Sequence, residues 1–237
     1  MIEVIGLDAD DTLWHNEVLY KETKTKFVKL LSRYRSVMDI EDQLDRIEID
    51  NLQYYGYGIK SFALSMVETA VRITDGNLDS SDILRVIDFT KEMLAAEVGL
   101  IKHVQETLNR LSQKYNLMLI TKGDTFEQER KVNRSGLEAH FAYIEVVSVK
   151  TQQTYLKLLD KYNIHPTNFL MVGNSLRSDI LPVLAIGGQA VYIPYQDTWE
   201  HENDIEESIN KEAYFEIPDI DHLPELLSRI DKDIDFG

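Results

Sequence analysis

Five short apolar runs, separated by segments of helical periodicity, constrain the fold of this 237-residue chain more than any other feature. Each run is bounded by polar residues, as is typical of a strand buried on both faces. Strands that alternate with helices predict a doubly wound parallel α/β sheet. The predicted strands are residues 2–7, 117–120, 144–147, 169–172 and 190–193, and the helices between the later strands are 127–135, 152–162 and 179–185.

The stretch from residue 14 to residue 97 contains no convincing strand. Apolar residues fall on one helical stripe between residues 27 and 34 and on another between residues 59 and 71. Ser80 and Ser81, ahead of an acidic turn, predict the start of a third helix. We therefore predict an all-α cap domain, 14–97, inserted into an α/β core formed by 1–13 and 98–237. A short strand at 214–217 and a helix at 222–230 are predicted to close the core.

Composition restricts the chemistry of the chain. Cysteine is absent, which excludes disulfides, thiolate metal sites and a cysteine nucleophile. The net charge of −16 argues against nucleic acid or an anionic membrane as a partner. Much of this charge lies between residue 195 and the C-terminus, which we predict to be solvated surface. No signal-like segment and no long apolar run is present, so we expect a cytoplasmic protein.

Polar side chains follow four of the predicted strands at the point where each strand ends. Asp8 and Asp10 follow the first strand, Thr121 the second, Lys150 the third, and the segment 173–179 the fourth. Ligands of an open α/β sheet bind beyond the carboxyl ends of its strands, so these residues form one candidate site. Two neighbouring carboxylates repel each other unless a cation neutralises them, and a hard, oxygen-binding cation such as Mg²⁺ fits best.

These motifs resemble those of the haloacid dehalogenase superfamily, in the branch with a helical cap inserted after the first strand. The matching motifs are Asp-x-Asp-x-Thr-Leu at 8–13, Thr121, Lys150 and Gly-x-Ser-x-x-x-Asp at 173–179. Only about 29 residues separate Thr121 from Lys150, too few for the alternative cap position. The resemblance covers essentially the whole chain and implies a Rossmann-like core.

The resemblance implies phosphoryl transfer through an aspartyl-phosphate. Asp8 would be the nucleophile, and Asp10 would protonate the leaving alkoxide and then accept a proton from water. Lys150 would neutralise charge on Asp8, and Thr121 would hold phosphate oxygens. The implied Mg²⁺ would lie between Asp8, the backbone carbonyl of Asp10 and the fourth motif. The implied metal ligands are Asp8, Asp10, Asn174 and Asp179.

Asn174 departs from the family pattern, which usually has an acidic residue at this position. Its amide oxygen can bind Mg²⁺ but carries no charge. We expect weaker metal affinity, or ligation shifted to Asp179 with Asn174 in support. Loss of activity is the harsher alternative.

Asp10 also separates the reactions found in this superfamily. Dehalogenases and phosphonatases lack a carboxylate two residues after the nucleophile, so phosphatase or phosphomutase chemistry is favoured here. We predict a magnesium-dependent phosphatase that hydrolyses a small phosphomonoester. The alternatives are a phosphomutase of the same fold and a catalytically weak relative that binds a ligand.

The expected partner is a small phosphorylated metabolite. The predicted core residues that bind it are Thr12, Lys122 and Gly123. In the cap, the segment 54–60 is predicted to form a loop over the pocket, with Tyr57 and Lys60 contacting substrate; the alternative is that its tyrosines pack a helix junction. The sequence does not determine an oligomeric state.

Overall fold

The computed structural model describes residues 2–196, 199 and 211–235. Residues 197, 198, 200–210, 236 and 237 of the acidic stretch that begins near residue 195 therefore lie outside the described residues. The chain forms two compact units. The first, the core unit, comprises Met1–Glu17, Val98–Lys122 and Lys131–Gly237. The second, the helical unit, comprises Val18–Glu97 and Gly123–Arg130.

A parallel sheet of six strands forms the centre of the core unit, in the order β3-β2-β1-β4-β5-β6. Because β1 pairs with β2 on one side and with β4 on the other, the strand order reverses at β1, and ligands bind at such a switch point. The strands are β1 (Val4–Leu7), β2 (Asn116–Lys122), β3 (Tyr143–Val147), β4 (Phe169–Gly173), β5 (Gln189–Tyr192) and β6 (Phe215–Glu216).

The structure contains nine α-helices within its described residues. They are α1 (Glu17–Leu31), α2 (Val37–Tyr55), α3 (Ile59–Ile73), α4 (Ser80–Ala95), α5 (Val104–Leu111), α6 (Thr125–Ser135), α7 (Gln152–Lys161), α8 (Leu181–Leu184) and α9 (Leu223–Asp235). Among the described residues, no α-helix has the length and apolar character that a membrane span requires.

Alternate residues of the central strands enter two separate cores, one on each face of the sheet. Leu117 and Leu119 of β2 pack in a cluster with α5 and α9. Met118 and Ile120 of the same strand pack with α7 and α8. Helices on both faces of a parallel sheet confirm the predicted doubly wound α/β fold.

Four helices, α1 to α4, form the core of the helical unit, where the apolar pattern predicts three. The additional helix is α2. Its buried positions Ile40, Leu44 and Ile47 lie on one narrow face, while Val37 and Ile49 are exposed outside that face, so its periodic apolar signal is weak. Ser36 caps its first turn by accepting the backbone N–H of Asp39.

The predicted loop at residues 54–60 is shorter than expected. Tyr54 and Tyr55 belong to the last turn of α2, and both side chains are exposed. The connection to α3 consists of residues 56–58. Gly56 and Gly58 have φ values of 68° and 121°, a region that glycine adopts without steric cost.

The helix predicted at residues 179–185 begins earlier and differs in type. A π-helix spans Leu176–Ile180, and α8 follows it directly. The Ser175 side chain accepts the backbone N–H of Ser178, which starts the helical turn before Asp179. Single π turns of this kind occur frequently at functional sites.

Glu48 on α2 generates a prediction about stability and pH. Burial of this half-buried carboxyl, aided by Asp45 and opposed by Lys24, raises its pKa from 4.5 to about 7. The folded state therefore binds the proton more tightly than the unfolded state, and folding loses stability as the pH rises from about 4.5 to about 7. We expect Glu48→Gln to remove this loss.

The measurement is urea unfolding of the wild type and the variant between pH 5 and pH 8. The stability gained by Glu48→Gln should grow up to about pH 7 and then level off at no more than about 1 kcal/mol, because water screens a half-buried charge. Asp42→Asn, at an exposed position of the same helix, is the control. A gain that is the same at every pH would contradict the prediction.

Candidate active site

The candidate site lies where β1 and β4 end side by side. The backbone N–H of Asp8 donates to the carbonyl of Val172 in β4, so Asp8 continues the strand pairing by one residue. The chain then turns sharply, because the carbonyl of Ala9 accepts the N–H groups of Thr12 and Leu13. This turn leaves the Asp8 carboxylate at the carboxyl end of the sheet, largely buried.

A buried ammonium group lies between two carboxylates at this edge. Lys150 Nζ donates to Asp8 Oδ1 and, at 2.7 Å, to Asp179 Oδ1. The side chains of Lys150 and Asp179 are each only 1% exposed. Burial alone would lower the pKa of Lys150, but the carboxylates of Asp179 and Asp8 outweigh this effect and raise its pKa. Lys150 is therefore a fixed cation.

The two carboxylates carry more charge than Lys150 neutralises. Burial raises the pKa of Asp179 to about 7, even though Lys150 lowers it, and the charge of Asp8 adds to the rise. Two negative charges share one positive charge in a place that excludes water, which is unfavourable without a further cation. The donor set, made only of oxygen atoms, suits Mg²⁺.

Thr12 links the first and fourth motifs. Its hydroxyl lies 3.0 Å from Asp8 Oδ2 and 3.3 Å from Asn174 Oδ1, and both are oriented as acceptors. The amide oxygen of Asn174 is therefore beside the nucleophile expected from the resemblance. Asp8, Thr12, Lys150, Asn174 and Asp179 thus form one buried cluster, as the strand-end pattern predicts.

Asp10 faces a different set of partners. Trp14 Nε1 donates to Asp10 Oδ1 at 2.6 Å. Lys131 Nζ lies 3.0 Å from Oδ1 and 3.1 Å from Oδ2 of the same carboxylate. The side chain of Asp10 is 22% exposed, so it is accessible to solvent where that of Asp179 is not.

Motif reasoning did not identify Asp11 or Lys131. Asp11 has a φ of 62° and accepts the backbone N–H groups of Asn16 and Glu17, so it caps the start of α1. Burial raises its pKa to about 7, against the effect of these hydrogen bonds. Aspartate adopts positive φ values more readily than most residues, and this preference is the sequence signal that could have pointed to Asp11. No sequence motif identifies Lys131. It lies on α6, 121 residues after Asp10, and only the fold brings the two side chains into contact.

The remaining predicted residues of the core unit lie at the end of β2. Thr121 is buried there, and Lys122 Nζ lies 3.1 Å from the hydroxyl of Ser178 in the fourth motif. Ser178 in turn precedes Asp179 in the π-helix. The second and fourth motifs therefore meet through these two side chains.

Gly123, Tyr57 and Lys60 belong to the helical unit. Lys60 Nζ donates to Asp124 Oδ1 at 2.8 Å, and this hydrogen bond lowers the pKa of Asp124. Lys60 also lies over the ring of Phe126, 5.7 Å from its centroid. The positive charge of Lys60, which we predicted to contact substrate, is therefore paired with the carboxylate of Asp124 in the same unit.

Comparison with known proteins gives the family. A model described as a haloacid dehalogenase-like hydrolase matches residues 2–187, more than half of the chain. The chain belongs to the haloacid dehalogenase-like hydrolase family. A haloacid dehalogenase-like family hydrolase from Xanthomonas campestris is 38% identical in sequence to this chain. Its crystal structure matches with a TM-score of 0.86, and the match covers 98% of this chain and 93% of that chain.

Two relatives carry names that state an activity. The N-acylneuraminate-9-phosphatase of Rattus norvegicus is 23% identical over 200 residues, covering 80% of this chain and 81% of its own length. The glyceraldehyde 3-phosphate phosphatase of Pyrococcus furiosus is 23% identical over 234 residues, covering 96% of this chain and 94% of its own length. The family expected from the motifs is therefore confirmed.

Gly173 generates a prediction about how this haloacid dehalogenase-like hydrolase holds Asp179. A Cβ atom on Gly173 would collide with the Asp179 carboxylate. That carboxylate is held in place by Lys150 and by the backbone N–H of Ser175. We expect Gly173→Ala to displace it and to lower the free energy of unfolding by about 1–3 kcal/mol, the usual cost of overpacking.

Urea unfolding of Gly173→Ala checks this expectation. Gly99→Ala is the matched control, because the atom nearest to its added Cβ is 4.0 Å away. In an Asp179→Gly background the cost of Gly173→Ala should shrink, since the side-chain atoms nearest to the added Cβ, including the Asp179 Cβ, are then gone. An undiminished cost in that background would show that the strain arises elsewhere.

Proposed function

We propose that the protein is a metal-dependent phosphatase that hydrolyses a small phosphomonoester through an aspartyl-phosphate on Asp8. The observation that carries the proposal is the buried Asp8 carboxylate, held by Lys150 and Thr12, with a second carboxylate two residues later. Both relatives named above are phosphatases. We also propose that the helical unit corresponds to the cap domain of the family.

Asp8 would act as the nucleophile. One of its oxygens forms a bond to phosphorus while the ester P–O bond breaks, and the leaving oxygen takes a proton from Asp10. Lys150 and Thr12 each hold one oxygen of the Asp8 carboxylate, which limits its rotation before attack. Lys150 also remains beside the transferring group as a fixed positive charge.

Asp10 would then complete the cycle. A water molecule gives a proton to the Asp10 carboxylate, its oxygen bonds to phosphorus, and the bond between phosphorus and Asp8 breaks. Inorganic phosphate and the free Asp8 carboxylate result, and Asp10 holds the proton for the next leaving group. The partial exposure of Asp10 supports this role, because water has to reach it.

Mg²⁺ fits the oxygen ligands and the excess negative charge of the cluster. We propose Asp8, the backbone carbonyl of Asp10, Asn174 and Asp179 as its ligands. When bound, the ion supplies positive charge that screens the repulsion between a carboxylate nucleophile and a phosphate. Asn174 contributes a neutral oxygen, so this set has one charge fewer than is usual in the family.

Phosphate binding is assigned to the end of β2. We propose that Thr121, Lys122 and Gly123 bind phosphate oxygens; Thr12, also predicted to bind substrate, donates to the Asp8 carboxylate. Tyr57 and Lys60 remain predicted substrate residues, and Lys60 would have to exchange Asp124 for an anionic group of the substrate. Because these two relatives are named for phosphorylated carbohydrates, we propose to test such compounds first.

The first test is phosphate release from a panel that includes N-acylneuraminate 9-phosphate, glyceraldehyde 3-phosphate and p-nitrophenyl phosphate, with Mg²⁺ and with excess EDTA. We expect release that depends on the metal. Asp8→Asn should reduce kcat at least about 1,000-fold because the nucleophile is lost. Asp160→Asn, an exposed carboxylate on α7, should leave kcat unchanged.

Three results would contradict the proposal. Turnover by a folded Asp8→Asn variant would refute the assignment of Asp8 as the nucleophile. Phosphate release that EDTA does not affect would refute the metal dependence. An isomerised sugar phosphate with little free phosphate would identify a phosphomutase. A folded protein that binds Mg²⁺ but transforms no compound would favour the ligand-binding alternative.

Asn174→Asp tests the proposed ligand set. The substitution adds one negative charge to the proposed ligand set, so we expect the Mg²⁺ concentration for half-maximal activity to fall about 5- to 50-fold, or roughly 1–2 kcal/mol. Asn163→Asp, on an exposed position after α7, adds the same charge away from the site. An unchanged or higher Mg²⁺ requirement in Asn174→Asp would exclude Asn174 as a ligand.

A further inference from the structure

The carboxylate of Asp10 is held by two side chains that the family motifs do not include. Lys131 Nζ is almost equally distant from its two oxygens, at 3.0 and 3.1 Å. Trp14 Nε1 donates to Oδ1 alone, at 2.6 Å. Lys131 therefore fixes the direction in which the carboxylate points. Trp14 fixes the rotation of the carboxylate about its bond to Cβ.

Lys131 and Trp14 are themselves fixed. The Trp14 side chain is 1% exposed and packs in the main core, and its backbone carbonyl accepts the N–H of Asp11. Lys131 is 13% exposed and also donates to Asn16 Oδ1 at 2.7 Å. Because Asn16 holds the Lys131 ammonium group independently of Asp10, the lysine has already lost part of its rotamer freedom and can define the position of the Asp10 carboxylate.

We propose that Lys131, assisted by Trp14, is a positioning residue for Asp10 as the base that activates water; this inference rests on the proposed function. The ion pair is made by the ionised carboxylate, and the ionised form is the one that accepts a proton from water. The step concerned is the hydrolysis of the aspartyl-phosphate. There the water proton goes to Asp10, the water oxygen bonds to phosphorus, and the bond from phosphorus to Asp8 breaks.

The role of Lys131 differs from that of Lys150. Lys150 contacts Asp8 and Asp179, the residues at the phosphoryl group, whereas Lys131 contacts the proton-transfer residue. Lys131 should therefore affect the second half-reaction without affecting attack on a substrate whose leaving group needs no proton. p-Nitrophenyl phosphate is such a substrate, because nitrophenolate leaves without protonation.

The experiment compares Lys131→Met with the wild type on p-nitrophenyl phosphate. Because kcat/KM reports formation of the aspartyl-phosphate, we expect it to stay within about 3-fold. Because kcat then reports hydrolysis of the aspartyl-phosphate, we expect it to fall about 10- to 100-fold, part of the 10²–10⁴ that a positioned base contributes. KM should fall together with kcat, and a burst of nitrophenol with a phosphorylated protein detectable by mass should appear.

Three variants separate positioning from a general loss of structure. Lys131→Arg retains a cation that can bind both carboxylate oxygens, so it should recover most of kcat. Lys157→Met, an exposed lysine of α7, should change neither constant. In an Asp10→Asn background, Lys131→Met should have no further effect on kcat, because the base is already absent.

A second measurement does not depend on turnover. The chain has two tryptophans, Trp14 and Trp199, so its ¹H–¹⁵N spectrum contains two indole N–H signals, which Trp199→Phe assigns. Lys131→Met should shift the Trp14 signal. Without Lys131 the Asp10 carboxylate can move, which changes the hydrogen bond that it accepts from the Trp14 indole N–H. A Trp14 signal that does not move overturns the inference.

The outcomes distinguish this inference from the proposed function. Equal losses of kcat and kcat/KM in Lys131→Met, with no phosphorylated protein, overturn the inference while the wild type remains a phosphatase. The inference is also overturned if adding Lys131→Met to Asp10→Asn lowers kcat by the same factor as adding it to the wild type. A wild type that forms no phosphorylated protein and releases no phosphate refutes the proposed function, and the role given to Asp10 and Lys131 with it.

Discussion

Lys150 keeps two carboxylates together in a place from which water is excluded. Its ammonium group contacts both Asp8 and Asp179, and all three side chains are buried at the carboxyl end of the sheet. Breaking such a buried pair costs about 3–5 kcal/mol, because it leaves an uncompensated charge. The position of the Asp8 carboxylate, and with it the geometry of the whole cluster, therefore depends on this lysine. One lysine cannot balance two carboxylates, however, and the remaining negative charge is one that a divalent cation would neutralise.

The backbone supports this charge arrangement at specific points. Asp8 is placed by strand pairing with β4, and Asp179 by a π turn packed against Gly173, where any Cβ atom would occupy the volume of the carboxylate. Asp11 caps the first helix that leaves the turn and tolerates the left-handed backbone found there. Each constraint acts within a few residues of a charged group, which keeps the cluster in one arrangement.

The two aspartates of the first motif have separate cations. Lys150 neutralises Asp8 from the loop after β3, and Lys131 neutralises Asp10 from α6. Because Asp8 and Asp10 contact different lysines, the repulsion between these two carboxylates is reduced before any metal binds. The separation also fits the two chemical tasks we propose, since attack on phosphorus and proton transfer make different demands on a carboxylate. The site thus combines one deeply buried ion cluster with one that water can reach.

The sequence alone determined the strands, the family and the cluster of Asp8, Lys150 and Asp179, because buried strands need continuous apolar runs and parallel strands bring their ends to one edge. It did not reveal α2, whose narrow apolar face gives a weak periodic signal. Nor did it reveal Lys131 as the partner of Asp10, or Asp124 as the partner of Lys60. Only the tertiary structure decided those pairs, because the sequence distance between two side chains carries no information about their contact when separate elements bring them together.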